Sequence, residues 1–256
     1  MINFRTDLAA ERRDIYKKAN NLENEIPGVE TQEYEDGENI KTTKVSIIDE
    51  KGAEALGKPV GTYITVDIKN LKIAEEEEIE KAAVNVKKEL VELINKHIGK
   101  QDHILVVGLG NEKVTPDSLG PRVIQDIDIT RHLLTYAPQY LEKDARPVSA
   151  IAPGVLGTTG LETLEILKGI VDSVKPNLVI VIDSLASKSV ERISSTIQLA
   201  DTGITPGAGV GNKRKELSKD TLGIPVIALR RSHGGRFSNY YRRLPRFINW
   251  KATTRI

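Results

Sequence analysis

The apolar positions along this chain follow three different periods, and each predicts a different kind of element. Ile104 to Val107 and Leu178 to Ile182 are short unbroken apolar runs stopped by glycine or aspartate, the pattern of strands buried on both faces of a parallel sheet. Arg146 to Ala152, Ser195 to Leu199 and Ile224 to Leu229 are expected to be further strands. Thr43 to Ile48 and Thr62 to Ile68 instead alternate apolar with polar residues and are rich in β-branched side chains, as strands with one wet face do. A 3.6-residue period governs Glu75 to Ile98, where Ile79, Ala83, Val86, Leu90, Leu93 and Ile94 share one face. Glutamates open that segment and lysines close it, in the sense that suits the helix dipole.

Helices are also predicted over Gly120 to Tyr136 and from Leu161 to Val174, the latter with Thr159 and Glu162 as a capping box. Residues 1 to 40 carry only a weak helical period from Leu8 to Ala19, and part of that arm is expected to be mobile. Strands alternating with helices from 103 to 229 predict an α/β fold with a mainly parallel sheet and helices on both faces, preceded by a small N-terminal β-containing lobe.

Composition narrows the function classes. A chain of 256 residues with 39% hydrophobic content supplies one good-sized core, and a net charge of +1 gives no reason to expect direct nucleic-acid binding or a membrane surface. Cysteine is absent, which removes thiolate nucleophiles and disulfides. The N-terminus lacks the apolar core of a signal peptide and no apolar run reaches membrane-spanning length, so a cytoplasmic protein is expected. No Walker loop or His-Glu-x-x-His zinc helix occurs, and Gly108 and Gly110 make only half of a dinucleotide fingerprint, so no cofactor and no metal site are assigned.

Carboxylates remain. Asp117 follows the first central strand and Asp183 ends the second, so both are expected at the carboxyl edge of the sheet, where open α/β folds keep their chemistry. Two neighbouring carboxyls cannot both ionise cheaply, and such a pair can activate water while protonating a leaving group. A purely structural role, with Asp117 capping a helix and Asp183 bonding a turn, fits the same positions. The glycine loop holding Gly207, Gly209 and Gly211 runs into Lys213 and Arg214, and its amides could cradle a substrate oxyanion or another anion. A solvated turn reads equally well.

In order along the chain, Arg5-Thr-Asp-Leu-Ala9, Val106-Val-Gly-Leu-Gly-Asn111, Thr115-Pro-Asp-Ser-Leu-Gly-Pro121, Ile182-Asp-Ser-Leu-Ala186, Asp201-Thr-Gly-Ile204 and Gly207-Ala-Gly-Val-Gly-Asn-Lys-Arg-Lys-Glu216 resemble the germination protease family of spore-forming bacteria. The resemblance implies a fold similar to that of the hydrogenase maturation endopeptidases. It implies an endopeptidase, cytoplasmic in the forespore and spore core, that degrades small acid-soluble spore proteins at germination. It further implies a homo-oligomer, a tetramer in the family, and a zymogen that processes itself between Asp7 and Leu8. The family's proposed catalytic aspartates fall on Asp117 and Asp183. Residues 1–7 are then a propeptide, 8–102 an arm with small strands and a long helix, and 103–229 the catalytic core. Residues 230–256 depart from the family: the codons of Arg230 to Phe237, reread one base along, can spell the family's continuation, so this basic stretch is expected to be a frameshifted tail. A metal-assisted peptidase, an inactive truncated product and a non-catalytic anion-binding domain are the rival readings.

Overall fold

Which face each apolar residue of a central strand meets decides how this protein is layered. The computed structural model describes residues 6–22, 24–69, 74–185, 195–207 and 214–232. The chain opens with helix α1 (Ala9–Ala19), strands β1 (Val29–Asp36) and β2 (Ile40–Ile47), helix α2 (Glu50–Leu56), strand β3 (Gly61–Ile68) and helix α3 (Glu76–His97). Strand β4 (Ile104–Gly108), helices α4 (Leu119–Gln125) and α5 (Arg131–Tyr136), strand β5 (Val148–Ile151) and helices α6 (Leu156–Thr159) and α7 (Thr163–Val174) follow. Strands β6 (Leu178–Leu185) and β7 (Thr196–Ala200), helix α8 (Lys219–Leu222) and strand β8 (Val226–Ser232) complete the described elements.

Ile104 and Val106 of β4, Ile180 and Ile182 of β6 and Ile227 and Leu229 of β8 pack on one face against α3 and α4. Their alternates Leu105, Val107, Val179, Val181, Val226 and Ala228 pack on the other face against Leu164, Leu167 and Val171 of α7. Helix α3 buries Ile79, Val86, Leu90, Leu93 and Ile94, and each such aliphatic side chain contributes roughly 1.5–3 kcal/mol when removed from water. A third cluster, Ala9, Ile26, Val29, Val45, Ile47, Leu56 and Tyr63, seats α1 and α2 on the N-terminal strands.

The eight strands lie in the order β1-β2-β3-β7-β8-β6-β4-β5. The half β5-β4-β6-β8 is parallel, as the continuous apolar runs predict. The other neighbours pair antiparallel, so the N-terminal strands continue the same sheet through β7 instead of standing beside it as a lobe. The helix expected over 120–136 is two helices, α4 and α5, because the chain between them turns to seat Thr130. Its hydroxyl donates to the Arg146 carbonyl and accepts from the Val148 amide, which fixes the start of β5. The capping box of α7 also falls three residues later than expected, with Glu162 at the cap and the Glu165 carboxylate accepting from the Glu162 amide. Strand β8 runs to Ser232, three residues past the expected limit of the core at 229, and buries Arg230 and Arg231. The rest of the expected basic tail, 233–256, lies outside the described residues, as do residues 1–5 of the expected propeptide.

Candidate active site

Strand β4 stops at Gly108, opposite Ile182, while β6 runs on to Leu185, so Asp183 is the first residue of β6 beyond the end of its neighbour. It is 8% exposed. The turn leaving β4 is held open by glycine. Gly110 adopts φ +116°, and a Cβ there would come within 1.9 Å of the Asp117 carbonyl oxygen. Gly108 and Gly120 meet so closely that a Cβ on the first would lie 2.3 Å from the carbonyl of the second, which lets α4 close on the strand end. The amide of Asn111 donates to both the carbonyl and the carboxylate Oδ2 of Asp117, each at 2.9 Å. Across the gap, the Ser184 hydroxyl donates to the Pro116 carbonyl at 3.0 Å and ties the Asp117 turn to the end of β6.

Both carboxyls are harder to ionise than usual. Burial pushes Asp183 up to about 6; Arg230 opposes the rise, while the charges of Asp117 and Asp7 add to it. Asp117 is also raised, by burial first, against the pull of the Asn111 amide. The charge of Asp117 thus reaches Asp183 at the sheet edge, as a lesser contribution beside burial.

Asp183 belongs to a polar row that crosses the sheet. In register, Thr65 of β3 faces Gln198 of β7, Gln198 faces Arg230 of β8, and Arg230 faces Asp183 of β6. Arg230 Nη2 lies 2.9 Å from an oxygen of Asp7 and 3.7 Å from one of Asp183. It also donates to the Ser184 carbonyl at 3.2 Å. The N-terminal segment is thus held against the site, with Arg12 Nε donating to the Thr6 carbonyl at 2.9 Å and Leu8 fully buried.

The sequence-predicted pair, Asp117 and Asp183, and the predicted processing residues Asp7 and Leu8 come together here. The glycine-rich loop does not join them in the part described. Gly207 takes a left-handed turn, Arg214 faces Glu162 at 3.8 Å, and Gly209, Gly211 and Lys213 lie outside the described residues. His103 bonds Ser149 at the opposite edge of the sheet, and His97 stands 3.6 Å from Asp201. Arg230 was missed, having been placed in an aberrant tail. Its signal was positional, since it follows the apolar run of β8 at the same step at which Asp183 follows that of β6. Among the described residues no three His, Asp or Glu side chains gather in a way that could hold a metal ion.

The parallel half of the sheet, with helices on both faces, gives this chain the layout of the open-sheet α/β proteins, a class that keeps its chemistry at the carboxyl ends of the strands. Residues 6–231 match the family model described as germination protease, and the chain belongs to that family, a family of proteases. It is 53% identical over 232 residues to the germination protease of Caldanaerobacter subterraneus subsp. tengcongensis, covering 90% of this chain and 68% of that one. It is 49% identical over 229 residues to the germination protease of Clostridium perfringens, covering 90% and 69%. The solved structure of a NiFe hydrogenase maturation protease from Thermococcus kodakarensis is similar at a TM-score of 0.41 and 18% identity, over 64% of this chain and 97% of that one. No helix among the described residues is long and apolar enough to cross a membrane.

Proposed function

We propose that this chain is an aspartic-type endopeptidase that begins the degradation of small acid-soluble spore proteins at germination, in the cytoplasm of the spore core. The observation that carries the chemistry is the pair Asp117 and Asp183, both raised by burial at the ends of β4 and β6, whose turns the Ser184 hydroxyl ties together. Asp183, deeper and pushed up to about 6, is the general acid, and Asp117, half-buried and held by the Asn111 amide, is the general base. Asp117 takes a proton from water as the water oxygen bonds to the scissile carbonyl carbon. Asp183 gives its proton to the amide nitrogen, the C–N bond breaks, and a carboxylic acid and an amine leave. One proton has then passed from Asp183 to the amine and one from water to Asp117, and exchange with solvent restores the pair.

In this reading the chain is made as a zymogen cut between Asp7 and Leu8, and it assembles as a homo-oligomer, a tetramer as in the family. The buried seat of that segment means that the bond opens to attack only after the segment leaves Arg230 and Arg12. The test is digestion of a purified small acid-soluble spore protein. Asp117→Asn and Asp183→Asn should each lower turnover by at least ~100-fold, the scale of general acid–base catalysis, while far-ultraviolet circular dichroism stays unchanged. Either variant cutting at near-normal rate removes that residue from the mechanism.

A further inference from the structure

The turn between α2 and β3 is fixed on both sides so that the Lys58 side chain runs inward. Arg12 Nη1 donates to the Leu56 and Gly57 carbonyls at 3.1 and 2.7 Å, and the Tyr63 hydroxyl donates to the Pro59 carbonyl at 2.8 Å. The Lys58 amide itself donates to the Ala53 carbonyl at 3.2 Å. Lys58 lines a cavity of about 310 Å³ together with Gln198, Ala200, Ala228 and Arg230, and its Nζ lies 4.9 Å from the centre of the Tyr63 ring.

An amine in that seat is poorly charged. Burial first, then Arg12 and Arg230, push it from the usual 10.5 down to about 7, against the pull of Asp7. Glu216, on an exposed residue, is the carboxylate that lines the cavity. About half of the side chain is therefore free amine at neutral pH, and a desolvated lysine beside other cations is a nucleophile. Two buried donors at the cavity meanwhile have no acceptor among the described residues: Gln198 Nε2, on a residue 2% exposed, and Arg230 Nε, on a residue 8% exposed. Such donors are costly unless something completes them. An electrophile that turned the amine into an anion would relieve the repulsion among the cations and supply the acceptors. An acyl group would leave a neutral amide. Carbon dioxide leaves an anion with two oxygens, and it is small and uncharged enough to enter.

We propose that Lys58 is a carbamylation site, its Nζ taking up carbon dioxide to form a carbamate whose oxygens accept hydrogen bonds from Gln198 Nε2 and Arg230 Nε beside Arg12. The nitrogen lone pair bonds to the carbon, one C=O electron pair moves onto oxygen, and a proton passes from the nitrogen to solvent; nothing is oxidised or reduced. The side chain then carries a negative charge where its ammonium carried a positive one. The modification stands independently of the peptidase reading.

The test equilibrates the full chain with isotopically labelled carbon dioxide near neutral pH, traps carbamates with an alkyl oxonium salt and maps them by peptide mass spectrometry. The N-terminal α-amine, a group partly free at that pH, is the control for trapping. Lys58 should carry the trapped group at least roughly tenfold more than exposed lysines such as Lys143, because an ordinary lysine amine is almost wholly protonated there. Gln198→Leu should lower the yield at Lys58 by roughly tenfold, the scale of one charge-assisted hydrogen bond. At fixed pH, carbon dioxide should also raise the melting temperature of the natural chain and leave that of Lys58→Met unchanged. Trapping at the N-terminal amine but not at Lys58, a yield untouched by Gln198→Leu, or an equal thermal shift in Lys58→Met overturns the site. A Lys58 that acetic anhydride marks ahead of other lysines while carbon dioxide does not also overturns it, since that is a reactive amine with no seat for the anion.

Discussion

Removing the charge of Asp183 should stabilise the protein while destroying its activity. The carboxyl ionises at an ordinary value of 3.8 when the chain is unfolded and near 6 in its buried site. The native state therefore binds this proton more tightly than the unfolded state. As pH rises from about 4 to about 6 the unfolded chain gives up its proton first, and folding stability falls through that window. At about 1.4 kcal/mol for each pH unit, the loss at neutral pH is about 3 kcal/mol. Arg230 limits that penalty, because its opposing pull is already contained in the value of about 6. Asparagine carries no such penalty, so Asp183→Asn should be more stable than the natural chain by up to about 3 kcal/mol near neutral pH. The melting temperature should rise by roughly 6–12 °C, at the few degrees per kcal/mol typical of domains of this size. Near pH 4 the two proteins should melt together. Urea unfolding at both pH values checks it. A variant less stable at neutral pH, or one with the same gain at both, would refute the claim that burial of a carboxylate dominates at this site.

The same protonation should appear in catalysis, with cleavage falling as pH rises through about 6 and Asp183 loses the proton it donates; a rate still climbing well above neutrality would reject Asp183 as the acid. Gly110→Ala puts a Cβ against the Asp117 carbonyl at a φ that side chains avoid and should cost roughly 3 kcal/mol or more and most of the turnover. Gly169→Ala, in open space on α7, should instead stabilise by roughly 0.5–1 kcal/mol, and thermal melts of the two distinguish backbone strain from loss of glycine as such. N-terminal sequencing of protein left to mature should begin at Leu8; an intact start in protein that digests its substrate would reject processing there.

The central strands and α3 were legible because each carries its period undiluted: β4 is apolar at every position between its flanking turns, and α3 repeats its stripe over 22 residues. Asp117 and Asp183 stand out in the sequence for the same reason, as carboxylates that follow such strands. Strand β1 was not. Its sequence Val29-Glu-Thr-Gln-Glu-Tyr-Glu-Asp36 lies at the sheet's edge with most residues exposed, so no alternation marks it, and the charges that hide it also keep that open edge from pairing with other chains. The break between α4 and α5 depends on the contacts of Thr130 with Arg146 and Val148, which no local pattern announces. Arg230 and Gln198 escaped because what matters about them is register. Each is a polar residue on a buried strand, and only the pairing of β7, β8 and β6 sets Gln198 beside Arg230 and Arg230 beside Asp183.

That pairing has a consequence for how the enzyme comes into being. Strand β8, the last described element to leave the ribosome, lies between β7 and β6, and β7 in turn joins β3, which lies more than a hundred residues earlier in the chain. A nascent chain without residues 226–232 has two half-sheets with nothing to join them, and no guanidinium to gather Asp7 and Asp183. Closing such long loops makes folding slow. It also means that Asp183 gains its buried setting beside Arg230 only when β8 has been threaded between β7 and β6, late in the making of the sheet.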